Sequence, residues 1–157
     1  MKINSIGRSV LFTVLLGLII HSPAQNPSWV TTQLPGDFPL NYHQAVGETG
    51  MIFVDDTSQV VHAFDIYDGQ WNAYISLTNA PWSGADADGN VAMVWSDSAL
   101  VAYSSLTHTF SLLQNVGHLI NSGATHGCIE NFAYVVTPTH WHVFDAEDAQ
   151  WYSYNYT

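Results

Sequence analysis

Beyond Arg8 the chain has neither lysine nor arginine, and Lys2 and Arg8 are its only two, against thirteen Asp and Glu that all lie after residue 24. Nucleic-acid affinity rests on phosphate neutralisation by Lys and Arg, so no nucleic-acid partner is expected. Anionic membranes and phosphorylated substrates are disfavoured on the same ground. Asp–Arg and Glu–Lys bridges are excluded from the body of the chain. A buried carboxylate there must be met by backbone N–H groups, water, a protonated histidine or a bound cation. Cys128 is the single cysteine, so no intramolecular disulfide forms and packing must supply the stability. A lone thiol is either buried or paired between chains, and Gly127-Cys128-Ile129 reads as the start of a strand, which favours burial. No long helical period and no Gly-rich phosphate loop occurs. Aromatic and β-branched residues are plentiful, which points to an all-β class.

What is present begins with a leader. Lys2 and Arg8 precede the apolar run Val10–Ile20, and Ser22-Pro23-Ala24 supplies small residues for cleavage. The run is short for a membrane span of about 20 residues. The expectation is a signal peptide over 1–24, cut after Ala24, and a secreted or periplasmic protein.

The remainder, 25–157, is expected to be one repeat domain. "VVHAFDIYDGQW" (Val60–Trp71), "ALVAYSSLTHTF" (Ala99–Phe110) and "HWHVFDAEDAQW" (His140–Trp151) recur at intervals of about 40 residues. Each carries an aromatic (Phe64, Tyr103, Phe144) and then a second one (Trp71, Phe110, Trp151). Upstream, "NVAMVWS" (Asn90–Ser96) aligns with "NFAYVVT" (Asn131–Thr137), and "GMIFVDD" (Gly50–Asp56) is the first copy. Each unit reads as four short strands joined by Asp-, Gly-, Ser- and Asn-bearing turns. In the first unit these are Tyr42–Gly47, Met51–Asp55, Val60–Ile66 and Trp71–Ser76. Four strands per 40 residues, apolar on both faces, match a β-propeller blade. The expected fold is propeller-like: about three four-stranded blades (41–79, 80–118, 119–157) after an extra N-terminal strand in a repeat tail over 29–40, where "WVTTQLPGDFP" begins at Trp29.

An apolar strand, a polar turn, "HAFDIYDGQW" or "HVFDAEDAQW", a Trp-led strand and "LPGDFP" together resemble kelch-type and galactose-oxidase-like propeller repeats. The resemblance runs over 29–157 and implies a propeller fold. The Gly-Gly pair usual at the end of the second strand is replaced by Asp55-Asp56, Ser96-Asp97 and Thr137-Pro138, and the usual arginine is missing. The copper–radical chemistry of galactose oxidase needs Tyr, His and Cys ligands that have no match here, so that activity is not carried over. Three blades are fewer than the four to eight that close known propellers. Apolar end faces then invite association, so either a homo-oligomer closes the ring or the chain is part of a longer propeller, and the homo-oligomer is the preferred expectation.

Several side chains stand out as candidates. His140 and His142 share one strand face and, with His126, could ligate a transition metal, although the repeat places His140 and His142 at packing slots. Asp65, Asp68, Asp145 and Asp148 sit where they would close turns. In "DADGN", Asp86 and Asp88 resemble the opening of a calcium loop without its closing Glu. Trp82, in an inter-blade segment, and Trp141 do not recur, and an exposed indole near Asp and Asn suits sugar or peptide recognition. No cofactor is required by any motif; calcium or a transition metal are the ions these residues would suit. The leading expectation is an exported, non-enzymatic module that binds a protein or carbohydrate ligand through inter-blade loops. The rivals are a metal-assisted propeller enzyme using His126, His140, His142 and the loop aspartates, and a structural subunit of a closed propeller.

Overall fold

The computed structural model describes residues 42–55, 60–75 and 81–156. The leader, its cleavage site and the repeat tail at 29–40 lie outside the described residues. The rest forms twelve strands in three four-stranded sheets. Blade 1 contains β1 (Tyr42–Val46), β2 (Gly50–Asp55), β3 (Val60–Asp65) and β4 (Gln70–Ile75). Blade 2 contains β5 (Trp82–Asp88), β6 (Val91–Ser96), β7 (Ala99–Ser104) and β8 (Thr109–Gln114). A short helix, α1 (Gly117–Asn121), leads to blade 3: β9 (Thr125–Ile129), β10 (Phe132–Val136), β11 (His140–Asp145) and β12 (Gln150–Asn155). Every sheet is an antiparallel meander in chain order, so each strand pairs with the one before it.

The turns explain why the strands stop where they do. Between the third and fourth strands, Asp65 Oδ1 accepts from Tyr67 N–H at 2.7 Å and Asp145 Oδ1 from Glu147 N–H at 2.8 Å. Asp68 and Asp148 accept from Gln70 and Gln150 N–H in the same way. In blade 2, Ser104 Oγ accepts from Leu106 N–H at 3.1 Å. These four aspartates are therefore turn-closing groups. The last turn position is left-handed in all three blades, at Gly69, His108 and Ala149. Where the resemblance called for Gly-Gly, Ser96 and Thr137 close the turn by accepting from Ala99 and His140 N–H.

Strand period then determines the core. Successive residues of β6 and β7 point to opposite faces, and both faces are covered. Ala92, Val94, Val101 and Tyr103 meet Ile52, Val54, Val61 and Ala63 of blade 1. Val91, Met93, Leu100 and Ala102 meet Cys128, Ala133, Val135 and Phe144 of blade 3, with Val116 just before α1 and Ile120 within it filling in. Each fully buried Val, Leu or Ile contributes about 1.5–3 kcal/mol. The recurring aromatics stack directly across the third and fourth strands, with centroids 5.1 Å apart in Phe64–Trp71, 4.7 Å in Tyr103–Phe110 and 5.4 Å in Phe144–Trp151. In blades 2 and 3 that pair faces the preceding blade. The fold is all-β and propeller-like.

Candidate functional site

The candidates separate once packing is visible. Trp82 is not a rim residue. It opens β5 and is only 3% exposed, wedged into the core between blades 1 and 2. Its loop-like sequence context hid a strand start, and an indole there gains more from burial than a loop could give it. Asp86 and Asp88 are structural too. Asp86 Oδ2 accepts from Cys128 N–H at 3.0 Å, and Asp88 Oδ2 accepts from Glu130 N–H at 3.1 Å. They tie β5 to the opening strand of blade 3. Cys128 is buried, as expected, and burial, with Asp86 next, pushes its thiol well above the ordinary range.

His140 and His142 do share a face, with rings stacked at 5.7 Å. His140 Nδ1 pairs with Thr139 Oγ1 at 2.8 Å, and His142 Nδ1 with Ser153 Oγ at 2.7 Å. Burial, and then the His140 ring, lowers the His142 pKa. His126 pairs with Val135, which in turn pairs with His142, so β10 separates the two histidines. Two strand spacings are about 10 Å, so the three donors do not converge. His126 instead sets its ring against Trp95 at 4.8 Å and uses Nδ1 on Ala124 O.

Trp141 is the candidate that remains open to solvent. It stands at the slot of Val61 in blade 1 and Leu100 in blade 2, both 0% exposed, yet it is 51% exposed. The reason is its neighbourhood. On blade 3 this face meets no further blade among the described residues, so slots that are core elsewhere become surface. Phe132, Trp141, Val143, Asp145, Tyr152 and Tyr154 line a shallow concavity of about 630 Å³. Register places them, with Tyr134 and Val136, in three rows: Phe132–Asp145, Tyr134–Val143–Tyr152 and Val136–Trp141–Tyr154. Ile129 extends the patch on β9. Asp148 accepts from the Tyr152 hydroxyl, which raises the pKa of that phenol and anchors its ring at the rim. Sequence reasoning missed Phe132, Tyr152 and Tyr154. The alternation Trp151-Tyr152-Ser153-Tyr154 marked a strand with aromatics on one face, but not which face lacked a neighbour.

No family model matches the chain, and no curated protein does. Among solved structures it is similar to the beta-propeller domain of Cps50 (Swd1) from Myceliophteria thermophila, at 11% identity and a TM-score of 0.37. The match covers 74% of this chain and 42% of that one, so the chain spans under half of that domain.

Proposed function

We propose that the chain is a non-enzymatic, exported binding module that docks a partner protein on the aromatic face of blade 3. One observation carries this reading: Trp141 is half-exposed at a slot where Val61 and Leu100 are completely buried. A contiguous exposed apolar patch of this kind marks an interaction surface. Trp and Tyr suit such a surface because they bring large contact area with few rotatable bonds. The binding surface is thus a sheet face, not the inter-blade loops. Asp145 on the face, with Glu147 and Asp148 in the adjoining turn, favours a partner with an apolar centre and a Lys- or Arg-bearing rim. A second copy offers no such rim, because nothing beyond Arg8 is Lys or Arg. The basic and apolar leader supports export as the setting.

The test is sedimentation of the purified chain together with photo-crosslinking from position 154 in the native extracellular fraction. The expected result is a monomer that crosslinks to a protein partner, weakens in high salt and loses the crosslink on Trp141→Asp. Self-association abolished by the same substitution would replace the partner with a second copy. No crosslink and no self-association would sink the reading.

A further inference from the structure

One set of metal-binding side chains converges elsewhere, at the junction of blades 1 and 2, and owes nothing to the aromatic face. Asp65 ends β3, Asp68 lies in the turn after it, and His108 comes from the matching turn of blade 2. His108 Nδ1 is 3.0 Å from Asp65 Oδ2 and 3.5 Å from Asp68 Oδ2. All three donor atoms lie within 4.8 Å of one another, the one such set among the described residues. We propose that Asp65, Asp68 and His108 bind a divalent transition-metal ion of the zinc class, which clasps blade 1 to blade 2.

The distances suit that ion. Metal–ligand bonds of about 2.0–2.1 Å in a tetrahedron separate neighbouring ligands by about 3.3–3.4 Å, and the two observed separations fall on either side of that value. One imidazole nitrogen and two carboxylate oxygens match a zinc-type donor set, whereas calcium takes six to eight oxygens. Three protein donors leave a fourth position for water. His108 is 40% exposed, which opens a path for an ion, while Asp65 sits fully buried behind it. Asp65 Oδ1 is already committed to Tyr67 N–H, so Oδ2 is the oxygen turned toward the cluster.

The charge balance points the same way. Asp65 is a carboxylate with 0% exposure in a chain without Lys or Arg beyond Arg8. Tyr103 donates to Asp65 Oδ2 at 3.4 Å. It supplies a hydrogen bond but no positive charge. The next junction serves as an internal control. At the positions of Asp65, Asp68 and His108 it carries Ser104, Thr107 and Ala149. There the neutral Ser104 hydroxyl donates to Ala146 O at 2.6 Å, and Ala149 is buried. The blade junction therefore closes without charged groups, and His108 is an addition beside two aspartates that already close their own turn.

The test uses the full chain after chelator treatment and buffer exchange, titrated with ZnCl2 by calorimetry and with CoCl2 by visible absorption. The expected result is one ion per chain, tetrahedral cobalt bands and a Tm raised by zinc. His108→Ala and Asp68→Asn, both at exposed positions, should weaken binding by at least the about 10–100-fold that loss of a mere supporting group costs. His140→Ala should leave it unchanged. Circular dichroism establishes that each variant is folded, and the milder Asp68→Asn covers a failure of His108→Ala to fold. Absence of stoichiometric binding, binding unaltered by both variants, or binding abolished by His140→Ala would each overturn the proposal.

Discussion

Blades 2 and 3 are built on one repeat and differ in how many neighbours they have. In blade 2 the residues of β7 from Ala99 to Ser104 are all buried, because blade 1 covers one face and blade 3 the other. Among the described residues only the face of blade 3 toward blade 2 meets another blade, and β11 alternates between half-buried, exposed and buried positions. The clearest pair is Leu100 and Trp141, matched in strand and slot, at 0% and 51% exposure. The larger, more aromatic side chain occupies the open slot. Burial in this molecule follows the neighbouring sheet and not the hydrophobicity of the residue, and an aromatic face without a neighbour is a surface for something else to cover.

That comparison is open to direct attack. The largest effect is expected at Leu100, where replacement by Ala should cost about 2–5 kcal/mol of unfolding free energy. Trp141→Ala should change it by no more than about 0.5 kcal/mol, as at other exposed sites. Equal losses in paired denaturant titrations would mean that the blade 3 face is covered in solution, which would break the contrast. Gly89 tests how tightly the covered junction is made. Its φ is +50° and an added Cβ would run into Glu130 O, so Gly89→Ala should cost about 1–3 kcal/mol. A neutral result in the same titration would show that β5 and blade 3 can slide apart. Ser104→Ala removes the hydroxyl that joins blade 2 to Ala146 and closes the turn on Leu106 and Thr107, for roughly 1–3 kcal/mol. The matching change in m-value should be nil, since no extra surface is exposed.

The smallest effect is a pH slope. His142 is lowered from its ordinary value of 6.5 by burial and then by His140. The unfolded chain therefore takes up a proton that the folded chain resists, so stability is lost as pH falls below about 6.5. Thermal melts between neutral and mildly acidic pH should show this slope, and His142→Asn should flatten it. An unchanged slope in the variant would assign the acid sensitivity to other groups.

Much of the fold was legible because its signals are local. The strands read from the first repeat, Tyr42–Gly47, Met51–Asp55, Val60–Ile66 and Trp71–Ser76, end within a residue of those observed. Alternation and turn chemistry act over a few residues, so they survive without knowledge of the neighbours. The turn role of Asp65, Asp68, Asp145 and Asp148 and the burial of Cys128 were legible for the same reason. The site was less so. Pro, Gly and Asp around Trp82, Asp86 and Asp88 read locally as an exposed loop, and only the docking of β5 between its neighbours shows them as core and tie. The short helix α1 left no periodic mark, since five residues span little more than one turn. His108 could not be joined to Asp65 and Asp68 from sequence, because the three meet only when two blades stack.

By itself the sequence determined an all-β repeat of four short strands, the turns that end them, the alternating faces they present and a body without basic side chains other than histidine. The tertiary structure decided which of those faces is core and which is open, and which polar groups from different blades come within reach. The physical reason is range. Strand period and turn closure are properties of adjacent residues, whereas burial and convergence are set by the sheet stacked about 10 Å away, which no single repeat encodes.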